Sequence, residues 1–150
     1  MEVLAIRSPE QSSDSKEIIK ESTTEGTVSF TSLNSEDAVS GILKGRFQVL
    51  DVRTPGEYDC YHIPDSILIP IHELENRYPE LNQSREILVV CERGIRSQRA
   101  CRILSEMGFK TLYNLNGGLS CYNGPKEGKR FSILKIKSYL GKIFFTIKRS

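Results

Sequence analysis

Four short apolar runs, "QVLDV" (48–52), "SILIP" (66–70), "EILVVC" (86–91) and "TLYNL" (111–115), punctuate this chain, with helical patterns set among them. Each reads as a strand, and "VSF" (28–30) as a shorter one before them. "NSEDAVSGILKG" (34–45) reads as a helix capped by Asn34 or Ser35 and stopped near Gly45. "HELENRY" (72–78) is a short helical stretch. In "SQRACRILSEMG" (97–108), Ala100, Ile103, Leu104 and Met107 fall on one helical face, and Gly108 provides a stop. Apolar strands alternating with helices predict an α/β domain with a parallel sheet covered on both faces. Ligands of such sheets gather at the carboxyl ends of the strands. Asp51 and Cys91 stand at two such ends and are expected to share one edge.

Composition narrows the class. With 38% hydrophobic and 27% charged residues in 150, the chain suits one soluble domain plus tails. No uncharged apolar stretch reaches the roughly 18 residues a membrane span needs. The start has no basic segment followed by an apolar core, so a secretory signal is not expected. Residues 1–26, rich in Ser, Glu, Thr and Lys, read as a disordered leader, 27–124 as the domain, and 125–150 as a basic amphipathic extension. The four cysteines, Cys60, Cys91, Cys101 and Cys121, form no C-x-x-C pair, and His62 and His72 are the only histidines. Neither a metal site nor a cofactor is expected, nor a nucleic-acid partner. Reduced thiols in a cytoplasmic compartment are the default.

The chemistry concentrates at "VVCERGIRSQRA" (89–100). If Cys91 ends a strand and a helix follows, residues 92–96 must turn sharply, with Gly94 placed where a positive φ costs least. Such a turn points successive N–H groups inward as an anion nest backed by the helix N-terminus. Arg93 and Arg96 add positive charge, and Glu92 is the one local dissent. That setting favours an ionised thiol and suits attack on an anionic, sulfur-bearing substrate. The plainer reading, a core cysteine, does not need a glycine and two arginines within the next five positions.

Here the chain resembles the rhodanese-like family of sulfurtransferases. "VLDVRTPGEYDCYHIPDSILIP", "VVCERGIRS" and "NLNGGLSCY" match its three motifs in order and spacing, and the resemblance runs from Val28 to Asn123. It implies a small rhodanese-like α/β domain with a five-stranded parallel sheet flanked by helices on both faces. It also implies that Cys91 is the catalytic nucleophile and that Glu92, Arg93, Gly94, Ile95 and Arg96 cradle the persulfide it carries. Asp51 and Arg53 match the family's D-x-R motif as supports of the site. The implied substrates are a small anionic donor such as thiosulfate and a thiol or sulfur-carrier protein as acceptor. The chain departs from the family where Tyr61 and Asp65 replace two glycines and where Tyr122 replaces a tryptophan.

Two rival functions follow from the same residues. Cysteine-dependent phosphatases also use a nest and an arginine, but place one residue more between Cys and Arg than the four here, Glu92 to Ile95. A rhodanese-like module that relays sulfur or binds partners, with little thiosulfate activity of its own, is the alternative. Among the other residues, Cys60, Cys101 and Cys121 read as packing residues, with Cys60 or Cys121 a resolving thiol if near Cys91. His62 reads as a turn-ordering group and Glu57 as a partner of Arg53.

The stretch 129–150 holds seven basic residues and no acidic one, leaving 14 basic against 19 acidic before it. Ile133, Ile136, Leu140, Ile143 and Ile147 recur at helical spacing, while "KIFFTIK" alternates as a strand would. Docking on the domain, or on a second copy, is the first expectation. Contact with an anionic membrane surface, making the protein peripheral to it, is the second.

Overall fold

The computed structural model of the protein describes residues 17–23 and 26–131. In chain order it has β1 (Glu17–Thr23), β2 (Gly26–Leu33), α1 (Ser35–Leu43), β3 (Phe47–Asp51), α2 (Pro55–Cys60), β4 (Ile67–Leu68), α3 (Leu74–Arg77), β5 (Glu86–Val90), α4 (Ile95–Glu106) and β6 (Leu112–Leu115). The sheet runs β1-β2-β6-β5-β3-β4. Five strands are parallel, as expected, and β1 adds an antiparallel edge on β2.

The period of two along β5 builds both halves of the core. Ile87, Val89 and then Cys91 point into one layer, with Leu50, Ile69, Leu74, Ala100 and Leu104. Leu88 and Val90 point into the other, with Ala38, Val49, Ile63, Leu115 and Leu119. Each fully buried aliphatic chain contributes about 1.5–3 kcal/mol, so this central strand fixes the sheet. It also fixes the site, because the same alternation puts Cys91 on the face that α4 covers.

The capping Asn34 accepts from the Asp37 N–H at 2.8 Å, so α1 starts where the sequence indicates. Helix α4 starts at Ile95 rather than Ser97, and it buries Ser97, Ala100, Cys101 and Leu104. Ile103 and Met107 are only partly buried against the same layer, so the buried stripe is rotated toward the N-terminal, site-facing side. Helix α2 has no apolar signature because it buries nothing; a capping box between Thr54 and Glu57 and Pro55 in its first turn define it.

Strand β1 falls in the stretch read as leader. Its backbone pairs from Glu17↔Ser32 to Thr23↔Gly26, yet Ile18 is exposed. Its seven residues, mixed polar and apolar, carry no alternation that marks a strand. The first 16 residues of that leader lie outside the described residues.

The two replaced glycines have separate explanations. Asp65 holds φ 60°, the left-handed conformation that glycine adopts freely and that Asp tolerates better than most residues. Tyr61 is extended, at φ −167°, where a side chain costs nothing.

The C-terminal extension returns to the domain at once. His62 and Glu127 exchange backbone hydrogen bonds of 2.8 and 2.9 Å, and Lys129 pairs with Asp59 at 3.1 Å. Residues 132–150, which carry the apolar stripe considered for membrane or self-docking, lie outside the described residues. Among the described residues, no helix is long and apolar enough to cross a membrane.

Candidate active site

Two neighbouring strand ends build the site. Asp51 closes β3 and pairs in register with Val90 of β5, one residue before Cys91. Asp51 and Arg53 are both buried, with side chains fully hidden from solvent. The Asp51 carboxylate accepts from Arg53 Nε at 3.1 Å and from Nη2 at 2.8 Å, and it caps the Arg53 backbone N–H at 3.0 Å. Arg53 then donates to the Tyr61 carbonyl at 2.6 Å and to the Glu92 carboxylate at 3.3 Å. The Asp51 carboxylate is thereby engaged by Arg53 on both oxygens.

Tyr61 joins the same network, its hydroxyl donating to Glu92 at 2.6 Å. Burial, then the neighbouring Glu92 carboxylate, pushes that hydroxyl up to about 12. Glu92, expected as part of the loop's cradle and its one negative charge, is thus held by Arg53 and Tyr61.

The Cys91 residue is 1% exposed. Its Sγ accepts the N–H of Gly94 at 3.1 Å and of Ser97 at 3.3 Å. Gly94 takes φ 87°, the positive value its loop position demands. Ser97 Oγ lies 3.3 Å from the sulfur and donates to Asn114 Oδ1 at 2.6 Å. With its own proton directed at Asn114, that oxygen is placed to accept from the thiol. Asn114 in turn donates to Ser32 Oγ at 3.4 Å. The N–H groups of Arg93, Ile95 and Arg96 find no acceptor among the described residues.

Sequence reasoning missed Ser97, Asn114 and Ser32. The available signal was Asn114 itself, a polar residue at a buried position of the apolar run "TLYNL".

The turn after β6 braces the loop from behind. Cys91 O accepts from Leu119 N at 2.8 Å, and Glu92 O accepts from Ser120 N at 3.0 Å. Gly118, at φ 65°, has no room for a Cβ, which would strike the carbonyls of Cys91 and Glu92. Gly118→Ala is expected to cost about 2–3 kcal/mol through backbone strain and overpacking, read as a lower urea midpoint. The Cys91 loop should show it first, as faster amide exchange.

The mouth is a cavity of about 320 Å³ lined by Glu57, Cys91, Glu92, Arg93, Ile95 and Arg96. Glu57 pairs with Arg96, not Arg53: both Arg96 amino groups reach its carboxylate, at 2.8 and 2.7 Å. Arg53 is already taken by Asp51. The Arg96 hydrogen bonds outweigh burial and hold the Glu57 carboxyl at about 2, against an ordinary 4.5. A depressed carboxyl stabilises the fold above its unfolded pKa and stops doing so as pH falls through the folded one. Glu57→Gln should therefore be less stable than the parent at pH 7, with the gap closing between about pH 4.5 and 2. Urea midpoints across that range check it. Exposed Arg93 has no ion-pair partner among the described residues.

None of the other three thiols lines the mouth. Cys101 is buried and its thiol is pushed up by burial, as expected of a packing residue. Cys60 and Cys121 are exposed rather than packed, because each closes a surface turn. His62 stacks on Tyr58 with ring centroids 3.8 Å apart, and bonds the Tyr58 carbonyl at 2.8 Å and Glu127 at 3.1 Å, ordering the turn. Tyr122 packs in the second core layer, and its hydroxyl has no partner among the described residues.

Comparison with known proteins bears on the family and the fold. A family model described as "Rhodanese-like domain" matches residues 35–124. A relative named "Putative sulfur carrier protein YrkF", from Bacillus subtilis (strain 168), is 40% identical over 79 residues, 53% of this chain and 43% of the relative. A "Sulfurtransferase" of Allochromatium vinosum is 35% identical over 71 residues, covering 47% of this chain and 66% of that protein. The match thus spans less than two thirds of either relative. Among solved structures, a rhodanese-related protein from Thermoplasma volcanium superposes with a TM-score of 0.59 at 32% identity, covering 64% of this chain and 96% of that one.

Proposed function

The chain belongs to the rhodanese-like domain family, whose members are sulfurtransferases and sulfur carriers, and from that premise we propose that it moves sulfane sulfur as a persulfide on Cys91. The observation that carries the reading is the thiol held by the Gly94 and Ser97 N–H groups at the floor of the mouth.

The Cys91 thiolate attacks the outer sulfur of thiosulfate. A new S–S bond forms, the old one breaks, and sulfite leaves with the bonding pair. In the resting thiol, Ser97 Oγ accepts the S–H proton, since its own goes to Asn114. In the loaded state the N–H groups of Arg93, Ile95 and Arg96, which have no intramolecular acceptor among the described residues, are available to the terminal sulfur anion. Fixed dipoles serve it as an oxyanion hole serves oxygen. An acceptor nucleophile then takes the outer sulfur and returns the Cys91 thiolate. Asp51 and Arg53 hold the strand ends and Glu92 in place, and touch no reacting atom.

A second reading, carriage of sulfur without thiosulfate turnover, is favoured by one observation: Arg96 is engaged on both amino groups by Glu57. That leaves Arg93 as the unpaired cation at the mouth among the described residues. Thiocyanate formation from thiosulfate and cyanide separates the two. Turnover that saturates with thiosulfate supports the enzyme. Loading from an alkyl persulfide, with none from thiosulfate, would leave only the carrier.

A further inference from the structure

A second cleft, of about 400 Å³, shares one lining residue, Glu92, with the mouth. Its wall is Tyr61 and the start of the C-terminal extension, Lys126, Arg130 and Phe131. The Lys126–Phe131 stretch lies beyond the family match, which ends at residue 124. It is clamped there by the His62–Glu127 backbone pair and by the Tyr61–Phe131 ring contact, centroids 6.4 Å apart.

The electrostatics of this cleft are incomplete. The Lys126 ammonium donates to the Leu119 carbonyl at 2.9 Å and sits 5.4 Å from the Tyr61 ring centre and 5.8 Å from that of Tyr122. Neither Lys126 nor Arg130 is ion-paired among the described residues. The one carboxylate lining the cleft, Glu92, is already held by Arg53 and Tyr61. Burial, with Arg130 and Arg53 nearby, lowers the Lys126 ammonium below its ordinary range despite the Glu92 carboxylate. Two cations brought together against partly apolar walls share one carboxylate, Glu92, which Arg53 and Tyr61 already hold, so they gain from a second anion. A cleft of this volume is the size of a small-molecule site rather than of a protein interface.

We propose that this cleft is the acceptor site: it binds the carboxylate of a small thiol through Lys126 and Arg130 and presents the thiol to the mouth past Glu92. The assignment rests on the persulfide reading of Cys91. The acceptor thiolate attacks the outer sulfur of the Cys91 persulfide. The new S–S bond forms as the bond to Cys91 Sγ breaks, and the electron pair returns to Cys91 as thiolate. Acceptor thiolate plus enzyme persulfide become acceptor persulfide plus enzyme thiolate, with no outside oxidant or reductant.

The test compares 3-mercaptopropionate with 2-mercaptoethanol, similar thiols of which one carries a carboxylate, in sulfur release from the loaded full-length protein at low salt. The expected result is a lower KM for mercaptopropionate, with Arg130→Gln and Lys126→Gln each raising it about tenfold and moving the mercaptoethanol KM less than about twofold. Arg130 is exposed, so its variant keeps the fold. In parallel, amide shifts of the unloaded protein titrated with propionate should centre on residues 119–131 and weaken in both variants. An unchanged ratio of the two KM values in the variants, or propionate shifts elsewhere, overturns the acceptor site. A protein that never loads sulfur while propionate still binds the cleft overturns the persulfide reading instead.

Discussion

Cys91→Ser lowers sulfur transfer by about a thousandfold or more, while the urea midpoint stays close to that of the parent. The loss is chemical: a hydroxyl oxygen in place of sulfur forms no persulfide, so the intermediate cannot exist. The fold survives because the site already satisfies a polar atom at that position. The N–H groups of Gly94 and Ser97 that now donate to Sγ remain to donate to Oγ. Cys101→Ser gives the opposite pattern. Cys101 is fully buried among the α4-side core residues, and among the described residues its polar contact is with the Tyr113 carbonyl at 3.7 Å. That variant loses stability and keeps transfer, measured per folded molecule. The pair separates a nucleophile from a packing thiol in one protein.

The second large effect concerns stability. Arg53→Met should cost about 3–5 kcal/mol, the range for removing one partner of a buried ion pair. The reason is what stays behind. Asp51, fully buried, is left with the backbone N–H of residue 53 as its one hydrogen-bond donor among the described residues, and the Tyr61 carbonyl and Glu92 lose a donor. Replacing both partners, Asp51→Leu with Arg53→Met, should recover part of that loss, since no uncompensated charge remains. Urea denaturation of the parent and three variants gives the cycle. The double variant should transfer sulfur poorly even where it is folded, because Glu92 and the Cys91 loop lose their anchor.

Much of this architecture can be read from the chain because burial and backbone strain leave marks on sequence. Ile87 to Val90 are fully buried on both faces, and a strand of that kind shows as an unbroken apolar run. Its end names the edge where Asp51 and Cys91 meet. Gly94 is legible for another reason: a tight strand-to-helix turn needs a positive φ, and glycine supplies it most cheaply. What stays hidden are pairings made in space. Glu57 lies close in sequence to Arg53, yet it meets Arg96, 39 positions away, once α2 is folded. Ser97 and Asn114 are polar residues in elements defined by their apolar neighbours, and their link to the thiol exists only after α4 packs on β6. Strand β1 is hidden because its sequence, EIIKEST, carries no apolar period, and its pairing with β2 is made by the backbone.

The central claim is that Cys91 carries sulfur. Intact and peptide mass spectrometry of the reduced protein after incubation with thiosulfate tests it most directly. The expected result is one added sulfur atom, on the peptide containing Cys91, lost on treatment with cyanide and absent in Cys91→Ser. No added sulfur from thiosulfate or from an alkyl persulfide, or sulfur found on Cys60 or Cys121 with Cys91 unmodified, would contradict it.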